Sequence, residues 1–74
     1  MDLDFYVPEA QMAIQASYNM VEQDTREREI NALVTFNKTF PLKRAIIVTY
    51  DQEEVIEING LAIEMIPAWK WLLQ

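Results

Sequence analysis

Residues 2–20 read DLDFYVPEAQMAIQASYNM, and two alternating runs inside them decide the fold. Leu3, Phe5 and Val7 alternate with Asp2, Asp4 and Tyr6, the period of a strand with one polar face. Pro8-Glu9-Ala10 turns the chain. Met12, Ile14, Ala16 and Tyr18 then alternate with Ala13, Gln15, Ser17 and Asn19. The turn is short, so the two runs predict an antiparallel hairpin over Leu3–Val7 and Met12–Tyr18. Asp4, Gln15 and Ser17 are then expected on one side of neighbouring strands.

The next stretch, EQDTREREINALVTFNKTF, changes period to that of a helix. Asp24 or Thr25 is a natural N-cap, and Glu27, three residues after Asp24, predicts a capping box. Ile30, Leu33 and Val34 form the apolar stripe, Phe40 closes it, and Pro41 stops the helix. Arg26, Glu27, Arg28 and Glu29 read as a solvated first turn.

AIIVTY (45–50) is nearly all apolar, as in a strand covered on both faces. A strand–helix–strand order predicts that it lies parallel to Met12–Tyr18 through a right-handed crossover. Residues 51–54 are a polar turn. VIEINGLAIEM follows as a hairpin around Asn59-Gly60, with Ile58 opposite Leu61 and Ile56 opposite Ile63, and with Glu57 and Glu64 on the other face. Pro67 suits the first position of a closing helix, PAWKWLL. In that helix Trp69, Leu72 and Leu73 share a face and Trp69 is expected in the core. Trp71 either covers the sheet or docks a partner. The class is α+β or α/β: a mixed sheet of about five strands in the order β-β-α-β-β-β-α.

Composition narrows the chemistry. The 74 residues form one domain, near the lower size for a core without staples, and 51% are hydrophobic. Cys and His are both lacking, so disulfides, zinc fingers, thiol nucleophiles and imidazole bases are excluded. Only carboxylates, amides and carbonyls are left to hold a metal, which favours Mg²⁺ or Ca²⁺. A net charge of −6 argues against broad phosphate binding by this chain alone. Without a long apolar run or a signal peptide, the default is a cytoplasmic protein with no membrane partner.

One constellation carries chemistry. A metal-dependent phosphodiesterase needs two acidic ligands for Mg²⁺ and a Lys for developing charge, minimally an Asp on one strand and Glu-x-Lys on the next. Here Asp4 faces Gln15-Ala16-Ser17, with Asp2 as a further metal ligand beside Asp4. Gln offers one neutral oxygen and Ser no cation. The plainer alternative is an exposed carboxylate on a sheet edge, with Gln15 and Ser17 bonded locally. No phosphate-cradling glycine loop or nucleophile–base pair competes.

DLDFYV, AIQASYNM, DTREREINAL and LKRAIIVTYDQEEVIEINGLAIEMIPAWKWLL together resemble the C-terminal end of bacterial and archaeal AAA-type ATP-binding proteins. In these a P-loop ATPase domain precedes a region similar to the restriction-endonuclease-like, PD-(D/E)xK superfamily. The similarity spans essentially all of residues 1–74. It implies a partial restriction-endonuclease-like core and a C-terminal fragment of a larger ATPase, with the ATP site in a domain outside this sequence. It places Asp4 at the first catalytic acid, Asp2 at the acidic residue before it, Gln15 at the (D/E) and Ser17 at the Lys. The implied site is degenerate, and the implied function is a non-catalytic accessory or interaction module. The alternatives are an active Mg²⁺-dependent nuclease using Asp4, and a structural dimerisation domain. Implied partners are the chain's own ATPase domain, a second copy through an open edge at the Asp strand, and nucleic acid through the full-length protein.

Overall fold

The computed structural model describes residues 4–17 and 19–73. A five-stranded mixed sheet carries two helices, an α+β fold. In chain order the elements are β1 (Phe5–Val7), a single 3₁₀ turn (Pro8–Ala10), β2 (Met12–Ala16), α1 (Gln23–Thr39), β3 (Arg44–Thr49), β4 (Glu54–Ile58), β5 (Leu61–Pro67) and α2 (Ala68–Trp71). The spatial order is β1-β2-β3-β5-β4. β1 pairs antiparallel with β2, with Phe5 opposite Ile14 and Val7 opposite Met12. β2 runs parallel to β3 with Gln15 opposite Ile47, and β3 runs parallel to β5.

The β4–β5 hairpin has the register its sequence predicts, Ile58 opposite Leu61 and Ile56 opposite Ile63. Asn59 and Gly60 both have positive φ, 52° and 81°, as a two-residue primed turn requires. β5, not β4, lies against β3. Leu61, Ile63, Met65 and Ile66 of β5 are all buried, whereas β4 carries exposed Glu54, Val55 and Glu57 and forms an edge. Burying β5, the more apolar of the two strands, and leaving the more charged β4 outside removes the more apolar surface from water. The other edge is β1.

The core lies between the sheet and α1. Ile30 and Leu33 of α1 meet Ala13, Ala45, Ile47, Ile63 and Met65, with Val34 packed against them. Beyond that cluster Tyr6, Phe36 and Phe40 form an aromatic trio, with Phe36 and Phe40 stacked at 5.0 Å and Tyr6 edge-on to Phe36 at 4.8 Å. This geometry contributes about 1 kcal/mol per pair beyond area burial.

Three local expectations are corrected. α1 begins at Gln23 with Glu22 at the cap, and no side chain caps it. The Glu27 carboxylate instead accepts from Gln23 Nε2 at 2.8 Å, so it does not fold back to Asp24 as a capping box would. Pro67 ends β5 and caps α2 from outside its first turn. Trp69, placed in the core by its spacing, is 60% exposed, and its neighbours Leu72 and Leu73 are exposed too. α2 has a single turn, too short to present a buried stripe, and the side chain it lays on the sheet is Trp71.

Candidate functional site

The candidate site sits where β1, β2 and the first turns of α1 converge. Extending the β1–β2 register by one residue sets Asp4 opposite Gln15, on the face that bears α1. The Asp4 backbone N–H donates to Gln15 Oε1 at 3.1 Å. In return, Asp4 Oδ2 accepts the Ala16 backbone N–H at 2.7 Å. Asp4 thus closes the open end of the hairpin by side-chain bonding, where the backbone ladder stops.

Gln15 is 1% exposed. A buried amide must have both ends satisfied. Its Oε1 takes Asp4 N–H, and its Nε2 donates to Glu29 Oε2 at 3.0 Å. The chain of bonds runs from Ala16 N–H through Asp4 and Gln15 to the Glu29 carboxylate, tying an edge strand, its neighbour and a helix together. A neutral amide suits this place because it donates to one carboxylate while accepting from a backbone N–H. A carboxylate at position 15 would have no proton to give Glu29.

Ser17 lies one residue past β2. Its N–H donates to Val48 O at 2.8 Å, carrying the parallel pairing with β3 one step further. Among the described residues its hydroxyl bonds neither Asp4 nor Gln15. Two of the three positions, Asp4 and Gln15, are therefore in direct contact, and Ser17 contributes backbone. Asp2 lies outside the described residues.

Glu29 is the participant that sequence reading missed, having been assigned to a solvated turn. Its side chain is 17% exposed. The signal was available in the helical period: Glu29 directly precedes Ile30 and lies one turn before Leu33, on the margin of the buried stripe. Asp4 and Glu29 are the carboxylates that flank Gln15. Among the described residues, no group of three or more acidic side chains is clustered to hold a metal ion.

Arg28 Nε lies 3.9 Å from Glu29 Oε1, and three other ion pairs among the described residues form away from this point. Arg44 donates to both oxygens of Glu64 at 3.0 Å. These bonds hold Glu64 below the ordinary carboxylate range, against burial that pushes it up, and Glu64 raises Arg44 in turn. Arg26 pairs with Glu54 at 2.5 Å and Lys70 with Glu53. Among the described residues no helix is long and apolar enough to cross a membrane. Comparison with protein families, with curated proteins and with solved structures finds nothing that matches this chain.

Proposed function

We propose that this chain is a non-catalytic, nuclease-like accessory module at the C-terminal end of a cytoplasmic AAA-type ATP-binding protein, acting by contact with the ATPase domain or a partner. The observation that carries it is Gln15. At the position where a metal-dependent nuclease of this layout needs an acidic ligand stands a buried amide with both ends engaged, to Asp4 N–H and to Glu29. Asp4, at the first acidic position, spends an oxygen on the Ala16 N–H. Ser17 supplies no cation where developing negative charge would need one. The group does the work of a structural clasp. Its two carboxylates, on Asp4 and Glu29, each commit an oxygen to a hydrogen bond within the clasp, which leaves less of their charge to draw Mg²⁺ from water.

Calorimetric titration with Mg²⁺ and Mn²⁺, alongside incubation of the full-length protein with supercoiled plasmid, tests this. The expected result is neither binding at the clasp nor cleavage. Metal binding that vanishes in Asp4→Ala, together with DNA cleavage, would overturn it. The accessory role is read from ATP hydrolysis by the parent polypeptide with and without residues 1–74.

One observation favours a second reading, an active Mg²⁺-dependent nuclease. Glu29 brings a second carboxylate to the Asp4 side of the sheet, from a helix and not from the strand. On that reading nicking is lost in both Asp4→Asn and Glu29→Gln while the fold persists. Persistence of activity in either variant would remove it.

A further inference from the structure

Asn59 and Gly60 form the tip of the β4–β5 hairpin, with φ of 52° and 81°, the signs of a type I′ turn, and both are exposed. Among the described residues the Asn59 side chain has no hydrogen-bond partner. Gly60 carries no side chain, and a Cβ built there would meet nothing within 4 Å. The other asparagines are placed differently. Asn37 Oδ1 accepts the Leu42 N–H at 2.8 Å. Asn31 lies inside α1, where the backbone N–H that follows it is held in the helical ladder. Asn19 precedes Met20, a bulky residue that is 1% exposed. Asn59 alone is followed by glycine.

An unshielded Asn-Gly pair can react with itself. The Gly60 backbone nitrogen adds to Asn59 Cγ and gives up its proton to water, and the side-chain nitrogen leaves as ammonia, closing a cyclic imide. Water then opens either carbonyl. Addition at Cγ restores the backbone with Asp in place of Asn. Addition at the former backbone carbonyl leaves Gly60 joined through Cγ, an isoaspartyl link. The sum consumes one water and releases one ammonia, with nothing oxidised or reduced. A type I′ turn has ψ of about 30° at its first central residue, which points the Gly60 nitrogen away from the Asn59 side chain. Attack therefore waits for the turn to open. That opening is local, because β4 is an edge strand held on one side by β5, and edges fray well short of global unfolding.

We propose that Asn59 is a site of spontaneous covalent modification, converting to Asp and isoaspartyl forms, and that the isoaspartyl form releases β4 from β5. Asp-Gly suits the same primed turn, so the Asp product keeps Ile58 opposite Leu61. The isoaspartyl link adds a backbone carbon to a turn whose two-residue length fixes the register, and that pairing is lost. Ile56 and Ile58 pack against the core, so their departure with β4 uncovers Leu61 and Ile63. β5 stays paired with β3 on its other side. The lesion thus converts a closed hairpin into an exposed apolar edge without dismantling the sheet. It is independent of the accessory-module reading.

The test is ageing of the intact chain at mildly alkaline pH, beside Asn59→Gly, which removes the reactive amide and keeps a sequence suited to the turn. Peptide mass spectrometry, with fragmentation that separates Asp from isoaspartyl residues, reads conversion at each asparagine. Amide spectra of the separated products read the fold. Conversion at Asn59 is expected to be at least about tenfold faster than at Asn31 or Asn37, the difference between a fraying edge and a packed helix. In the isoaspartyl chain the Ile56, Ile58 and Leu61 resonances are expected to shift and their amides to lose protection from hydrogen exchange. In the Asp product and in Asn59→Gly those amides are expected to stay protected. Conversion no faster at Asn59 than at Asn31 would overturn the inference. So would a product that is Asp alone, or an isoaspartyl chain that retains the Ile58–Leu61 pairing.

Discussion

Gln15 of β2 donates to Glu29 of α1 at 3.0 Å while accepting the Asp4 N–H at 3.1 Å, so one buried amide joins a helix to the edge of a sheet. Replacing it with an apolar residue of similar size removes the acceptor of the Asp4 N–H and one of the donors to Glu29. Gln15→Leu is expected to cost about 2 kcal/mol, the penalty of leaving buried polar groups unmet. Urea denaturation followed by circular dichroism measures it, and unchanged stability would show that water satisfies Asp4 and Glu29 equally well.

Gln15→Glu sets a third carboxylate between Asp4 and Glu29. The like charges raise the folded-state pKa of one of them above its unfolded value. A carboxylate raised in this way favours folding at low pH and loses that contribution as pH rises through the raised value. The variant is therefore expected to be less stable than the parent at neutral pH, with the gap narrowing as pH falls through the carboxylate range. Millimolar Mn²⁺ is expected to restore part of the stability of this variant while leaving the parent's melting temperature unchanged. Equal metal response in both proteins would contradict the clasp.

The Arg44–Glu64 pair predicts a different pH dependence. Arg44's two hydrogen bonds hold Glu64 below its ordinary value. Its contribution is present above the unfolded carboxylate pKa and is lost as pH falls through the depressed folded value, below about pH 4. Both side chains are partly exposed, so solvent screening limits Glu64→Gln to less than about 1 kcal/mol. Thermal melts of parent and variant at pH 3 and pH 7 check this. The difference between them is expected at pH 7 only.

At the β4–β5 turn Gly60 has φ 81°, and a Cβ there would meet nothing within 4 Å. Gly60→Ala is thus strained by backbone conformation alone, and about 1–2 kcal/mol of destabilisation is expected. Asn59→Gly, at φ 52°, is expected to be nearly neutral. Equal losses in the two variants would indicate that side-chain contacts, not dihedral angles, govern the turn.

Leu33 is fully buried where α1 meets the sheet. Leu33→Ala is expected to cost about 2–5 kcal/mol, enough to unfold much of a chain this small. Melting temperature and the dispersion of the amide spectrum read the outcome. A loss below about 1 kcal/mol would mean that α1 is not held by this contact.

The period of the strands and of α1, the stop at Pro41, the parallel placement of AIIVTY and the register around Asn59-Gly60 were legible because each depends on residues close in sequence. Asp4 and Gln15 were legible as neighbours for the same reason, since a short turn leaves few registers open. Glu29 was not. Its place beside Gln15 depends on how α1 docks across the sheet, and an acidic run at a helix start ordinarily faces water. The cap at Glu22 and the exposure of Trp69 escaped similarly, because one-turn differences in where a helix begins or ends move side chains between core and solvent.

Alternation and turn chemistry in the sequence determined which segments become strands and which sides of them are apolar, because a two-residue period leaves no other way to separate oil from water. Only the tertiary structure decided that β5 enters between β3 and β4, that Gln15 closes on Glu29, and that Phe5, Ile14, Ala16, Val48 and Trp71 line a groove. Those outcomes depend on competition among distant surfaces for the same partner, which local spacing does not encode.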